Sequence, residues 1–165
     1  MGIITRVRKF CFDVATLGGL GNWMIGGWVA AFLAIPFLLI SRVISFLMPS
    51  IYHWFILGFI IFVVVVIQIA CGFLGERKPS VIVLDNMCGM TIGLFGISLD
   101  WSLWKIIFAG YIFFIVLNLF KPFLLKNRYV HKVESFPGAI GILTSDVVFG
   151  LIVNLSVRLM LFFVK

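Results

Sequence analysis

The sequence predicts an all-α protein, a polytopic membrane bundle of four to five spanning helices. Three observations carry this. Of 165 residues, 63% are hydrophobic and the mean hydropathy is +1.23, whereas an ordinary soluble domain is roughly half apolar. Several apolar runs reach the roughly 20 residues that a helix needs to cross a bilayer. Charged residues make up only 12% of the chain and gather between those runs. Residues 1–165 therefore read as one membrane domain, with no room for a large soluble unit.

The net charge of +7 fits basic loops that fix topology and face anionic lipid. It does not call for a nucleic-acid partner. Cys11, Cys71 and Cys88 are widely spaced and form no CxxC pair, which excludes a disulfide framework and a zinc site. Arg6, Arg8 and Lys9 precede the first long apolar run. Residues 1–15 read as a basic cytoplasmic lead-in with amphipathic character.

Segment one is expected from about Gly21 to Ile40, behind a glycine-rich start and with Pro36 inside it. A glycine-rich start permits an irregular loop or tight helix packing. Arg42–His53 reads as a connector. Segment two, about Trp54–Gly75, contains the uninterrupted run Phe62–Ile67; Gln68 is its polar exception, suited to a hydrogen bond between helices. Segment three, about Ser80–Ser98, is short for a span. It carries Asp85 and Asn86 near its start and the GxxxG pair Gly89 and Gly93, which lets a neighbouring helix approach closely. Segment four, about Trp101–Phe120, ends in Asn118-Leu-Phe-Lys121-Pro122. The following loop holds Lys126, Arg128, His131 and Lys132. The last span, about Ile140–Phe163, carries Ser145 and Asp146 roughly two turns in. Asn154 and Arg158 follow, and Arg158 is placed to snorkel toward the far surface.

The basic clusters at Arg6–Lys9, Arg77–Lys78 and Lys121–Lys132 belong on the cytoplasmic side. Five spans with the N-terminus inside satisfy all three, provided that segment three crosses. Asp85, Asn118, Lys121 and Asp146 then share one depth near the cytoplasmic surface. An acid within a span is costly and marks a functional site by default. Two aspartates with amide and hydroxyl neighbours offer hard oxygens of the kind magnesium prefers. Nearby cations suit a phosphate ester. A salt bridge between helices is the plainer use for the same acids.

Three motifs, in order, carry a family resemblance. Pro79-Ser-Val-Ile-Val-Leu-Asp85-Asn86-Met-Cys-Gly89, Asn118-Leu-Phe-Lys121-Pro122 and Gly138-Ala-Ile-Gly-Ile-Leu-Thr-Ser145-Asp146 resemble the acidic segments of bacterial phosphatidylglycerophosphatase A. The resemblance covers about Leu17–Leu155. It implies a multi-pass enzyme of the bacterial inner (cytoplasmic) membrane, with its site facing the cytoplasm. It implies magnesium-dependent removal of the terminal phosphate of phosphatidylglycerophosphate, a phosphorylated glycerophospholipid, to give phosphatidylglycerol. Carried over, Asp85 and Asp146 are the catalytic acids. Asp85, Asn86 and Asp146 are the candidate metal ligands. Lys121, Asn118, Ser145 and Arg128 are the candidate substrate contacts. Asn86, Asn118 and Ser145 stand where the resembling motifs carry acids, and neutral oxygens offset less of a cation's charge. This keeps a second reading in view: a non-catalytic membrane protein on the same fold that binds anionic lipid headgroups.

Overall fold

The computed structural model describes residues 2–74, 81–97, 104–124, 136 and 138–164. Regular structure among them is helical throughout. The helices are α1 (Ile3–Ala15), a 3-10 turn (Leu20–Asn22), α2 (Gly26–Leu47), α3 (Pro49–Leu74), α4 (Leu84–Gly93), α5 (Trp104–Leu124) and α6 (Ala139–Val164), as the all-α reading required. Four stretches are long and apolar enough to cross a membrane: Gly26–Leu47, Ile51–Gly72, Trp104–Lys121 and Ala139–Phe163.

The lead-in is an amphipathic helix. Cys11 and Ala15 of α1 are buried against Val63, Ile67 and Ala70 of α3, and Arg6, Arg8 and Lys9 stay exposed. Left-handed backbone at Leu17, Gly18 and Gly19 ends α1 and turns the chain toward α2. The irregular turn expected of the glycine-rich start occurs here. Gly18 and Gly19 make the turn, while the Val81 carbonyl lies where a Cβ on Gly21 would sit.

α2 buries a stripe of small residues, Ala30, Ala31 and Ala34, followed by Leu38 and Ser41. It continues through Pro36 and runs on to Leu47, with α3 starting at Pro49. The expected connector Arg42–His53 is therefore helical apart from Met48. The two helices have enough apolar length to extend to the very ends of their spans.

Segment three departs most from expectation. Its helix has 10 residues, about 15 Å of rise, against a hydrocarbon core of roughly 30 Å. Beyond Gly93 the chain passes into turns through Gly96, where φ is +69°. A helix end inside an apolar bundle leaves carbonyls without donors. α6 supplies them. The two N–H groups of Asn154 Nδ2 are shared among the carbonyls of Ile92 (3.2 Å), Gly93 (3.1 Å) and Phe95 (2.9 Å). Arg158 donates to Asn154 Oδ1 at 2.7 Å and to the Phe95 carbonyl at 3.2 Å. Arg158, which remains exposed, thereby also closes the end of α4. Gln68 does comparable work at the start of α6, where its Oε1 accepts the Ala139 N–H at 2.9 Å.

α4 lies between the two apolar clusters of the core. Leu84 and Cys88 belong to the one shared with α1, α3 and α6. Met90 and Leu94 belong to the one shared with α2, α5 and α6. Gly89, Gly93 and Gly150 bring α4 and α6 into backbone contact, with the Gly89 carbonyl where a Cβ on Gly150 would project. The GxxxG expectation is met, and α6 is the neighbour that uses it.

Contacts sort the chain into two ends. At one end Asn86 packs on Gly27, Val83 bonds to Ala15, Gln68 to Ala139, and Lys121 to Asp146. At the other, Phe95 stacks on Tyr52 with ring centroids 5.7 Å apart, and Gly96 meets Arg158. Among the described residues the chain thus changes ends five times, in α2, α3, α4, α5 and α6. The third passage is a short helix with a non-helical tail rather than a full spanning helix.

Candidate functional site

The site begins at the first turn of α4. Val83 precedes the helix, and its N–H donates to the Ala15 carbonyl at 3.1 Å, which ties this start to the end of α1. Asp85 follows in the first turn, where helix N–H groups favour a carboxylate. It is 5% exposed. Its Oδ1 accepts the Asn86 backbone N–H at 2.9 Å and the Asn86 side-chain amide at 3.2 Å. The other face of the Asn86 amide rests on Gly27, where a Cβ would lie 3.2 Å from its nitrogen. A side chain at position 27 would therefore push Asn86 toward the acid.

Asp146 reaches Asp85 because Gly89 has no side chain. A Cβ there would stand 2.5 Å from the Asp146 carbonyl oxygen. With that space open, α6 settles on α4 and the two carboxyls come within hydrogen-bonding reach of each other. Asp146 is fully buried. Two facing carboxylates away from water require a shared proton or a compensating cation. Lys121, in the last turn of α5, provides one positive charge. Its Nζ lies 3.3 Å from both Oδ1 and Oδ2 of Asp146, and its side chain is 26% exposed.

The structure thus brings Asp85, Asn86, Lys121 and Asp146 together from α4, α5 and α6. Asn118 and Ser145 lie beside this group without a hydrogen bond to it. Asn118 donates to the Phe114 carbonyl at 3.4 Å and Ser145 to the Ile142 carbonyl at 3.5 Å, each within its own helix. Asn86 is in the expected place, with its amide nitrogen turned to Asp85. Arg128, Lys126, His131 and Lys132 lie outside the described residues, as do Lys78, Pro79 and Ser80. Gly27 is a position that sequence reasoning did not tie to the acids, and Gly89, quoted in the Asp85 motif, was not tied to Asp146. The signal for Gly89 was its place one turn after Asp85.

Buried acids, one partly exposed lysine and a neutral amide form a compact polar island. It lies at the end of the bundle where α1 terminates and α6 begins. Such an island can hold a cation between carboxylates and offer an ammonium to an incoming anion. No curated protein and no solved structure compared with the chain matches it. A family model for phosphatidylglycerophosphatase A matches residues 14–161, a range that includes Asp85, Asn86, Lys121 and Asp146, and the chain belongs to that family.

Proposed function

We propose that the chain hydrolyses phosphatidylglycerophosphate to phosphatidylglycerol at the cytoplasmic face of a bacterial inner membrane, with Asp85 and Asp146 as the central acids. Membership of a phosphatase family gives the substrate class. The observation that carries the reading is the convergence of Asp85, Asp146 and Lys121 at one end of the bundle.

The donor set fits magnesium. Two buried carboxyls face one another, Lys121 offsets a single negative charge, and the Asn86 amide, whose nitrogen now donates to Asp85, would present its neutral oxygen to an ion by turning over. Asp85, Asp146 and Asn86 would hold the ion. When bound, it supplies Lewis-acid polarisation of the phosphoryl group and a more acidic water. The chain's own residues do the rest. Lys121 bonds to both oxygens of Asp146 and orients that carboxyl, and its partly exposed ammonium meets the arriving phosphate. Arg128 belongs to the basic stretch after α5 that attracts the same headgroup. A water oxygen bonds to phosphorus, the bond from phosphorus to the glycerol oxygen breaks, and that oxygen leaves as an alcohol after taking from Asp85 the proton that the water gave up. Asp85, beside the reacting group, takes the proton that the water gives up. Asn118 and Ser145 remain neutral neighbours with their donors engaged within their own helices.

The test is phosphate release from phosphatidylglycerophosphate by the purified chain in detergent, with and without magnesium. Release that requires magnesium and falls by about a hundredfold or more in Asp85→Asn and in Asp146→Asn is the expected result. No release with headgroup binding intact would establish the non-catalytic reading instead.

A further inference from the structure

α1 buries only one side. Ile3, Val7 and Phe10 are 81%, 48% and 66% exposed. At about 3.6 residues per turn they fall on one stripe, which the half-buried Val14 continues. Cys11 and Ala15, the residues that face α3, lie along one flank of that stripe, with Arg8 beyond them. Arg6 and Lys9 lie along the other flank. Asp13 shares that flank, so the helix carries three cations against one acid.

The depth of α1 determines what meets the stripe. Cys11 and Ala15 pack on Val63, Ile67 and Ala70, in the second half of the spanning stretch Ile51–Gly72. The chain then leads into α2, whose spanning stretch starts at Gly26. Trp23 and Met24, just ahead of it, are 63% and 99% exposed, and a tryptophan suits that boundary. α1 is thus level with the edge of the apolar layer. There an exposed apolar stripe meets acyl chains, while basic side chains on its flanks reach up to headgroups. An excess of cations selects anionic lipid.

The C-terminal end of α1 is joined to the start of α4. The Ala15 carbonyl accepts the Val83 N–H at 3.1 Å, and Ile82 and Leu84 share a core cluster with Cys11 and Ala15. Asp85 stands two residues beyond Val83. We propose that α1 lies along the membrane surface, with Ile3, Val7 and Phe10 among acyl chains and Arg6, Arg8 and Lys9 at anionic headgroups, and that this seating steadies the first turn of α4. The stripe is covered by lipid rather than by a second copy of the chain. This holds whether or not the chain is a phosphatase.

The full chain is placed in nanodiscs of phosphatidylcholine, alone or mixed with phosphatidylserine. A fluorophore is attached at Val7→Cys, Phe10→Cys or Lys9→Cys in turn; Cys11, Cys71 and Cys88 are buried, and the unsubstituted chain serves as the blank. Labels at 7 and 10 are quenched by lipid bearing a nitroxide on its acyl chain, and the label at 9 by aqueous iodide. Hydrogen exchange at Val83 is read in the same discs. Phosphatidylserine slows it by about fivefold or more, the scale of one cation at an anionic surface. Arg6→Gln, Arg8→Gln and Lys9→Gln combined remove that slowing. Val7→Asn with Phe10→Asn removes it as well, and serves if the triple variant does not fold. Iodide quenching at all three positions overturns the proposal, as does shielding of 7 and 10 only in discs that hold two chains. Exchange at Val83 that ignores lipid charge, or slowing that survives in both combined variants, overturns it too.

Discussion

Lys121 and Asp146 carry opposite charges across the seam between α5 and α6, and they are unequal partners. Asp146 is fully buried, whereas the Lys121 side chain retains 26% exposure. Removing the lysine therefore leaves a buried charge behind, the costly half of such a pair. Lys121→Met is expected to lower Tm more than Lys121→Met combined with Asp146→Asn. A double-mutant cycle is expected to give a coupling on the order of 1 kcal/mol, moderated by the exposure of the lysine. Additive effects would show that the pair contributes nothing. Much of this site was legible in the sequence. Asp85 and Asp146 stand out because acids are rare in apolar runs, and equal depth predicted their meeting. The hydrogen bond from Asn86 to Asp85 was not legible, since an amide beside an acid serves equally as ligand or donor.

At the scale of the element, α4 depends on its glycines in a graded way. A Cβ at Gly89 meets backbone of α6, and one at Gly150 meets backbone of α4, which cannot move aside cheaply. A Cβ at Gly93 meets chiefly the Val153 side chain at 3.3 Å, which can rotate. Gly58 has nothing within 4 Å. Alanine scanning by thermal unfolding in detergent is expected to place Gly89→Ala and Gly150→Ala well above Gly93→Ala in cost, with losses of about 1–3 kcal/mol or more. Gly58→Ala should be neutral or stabilising by up to roughly 1 kcal/mol, the helix-propensity difference. A flat profile would mean that α4 and α6 do not pack backbone to backbone. The four long helices were readable from apolar length, and GxxxG announced a close neighbour. The early end of α4 was not readable. It depends on Asn154 and Arg158, distant in sequence, supplying donors that water would otherwise provide. Gln68 escaped a specific assignment for the same reason: a side chain that caps another helix leaves no local pattern.

Across the whole molecule, the five passages place α1 and the end of α6 on opposite surfaces. Cysteine introduced at Ile4 or at Phe163, both well exposed, in a background lacking the three native cysteines, should react with a membrane-impermeant maleimide from opposite sides. By the positive-inside rule, the basic residues of α1 predict that Ile4 labels from the cytoplasmic side. Labelling of both positions from one side would refute the five-passage path. The contact between Gly89 and Gly150 has a wider consequence. The joint that assembles the bundle lies a full helical turn from Asp85 and uses only backbone. Mutation can exchange the acids around it without loosening that joint. The seam between α4 and α6 is thus built apart from the carboxyls that the same two helices carry.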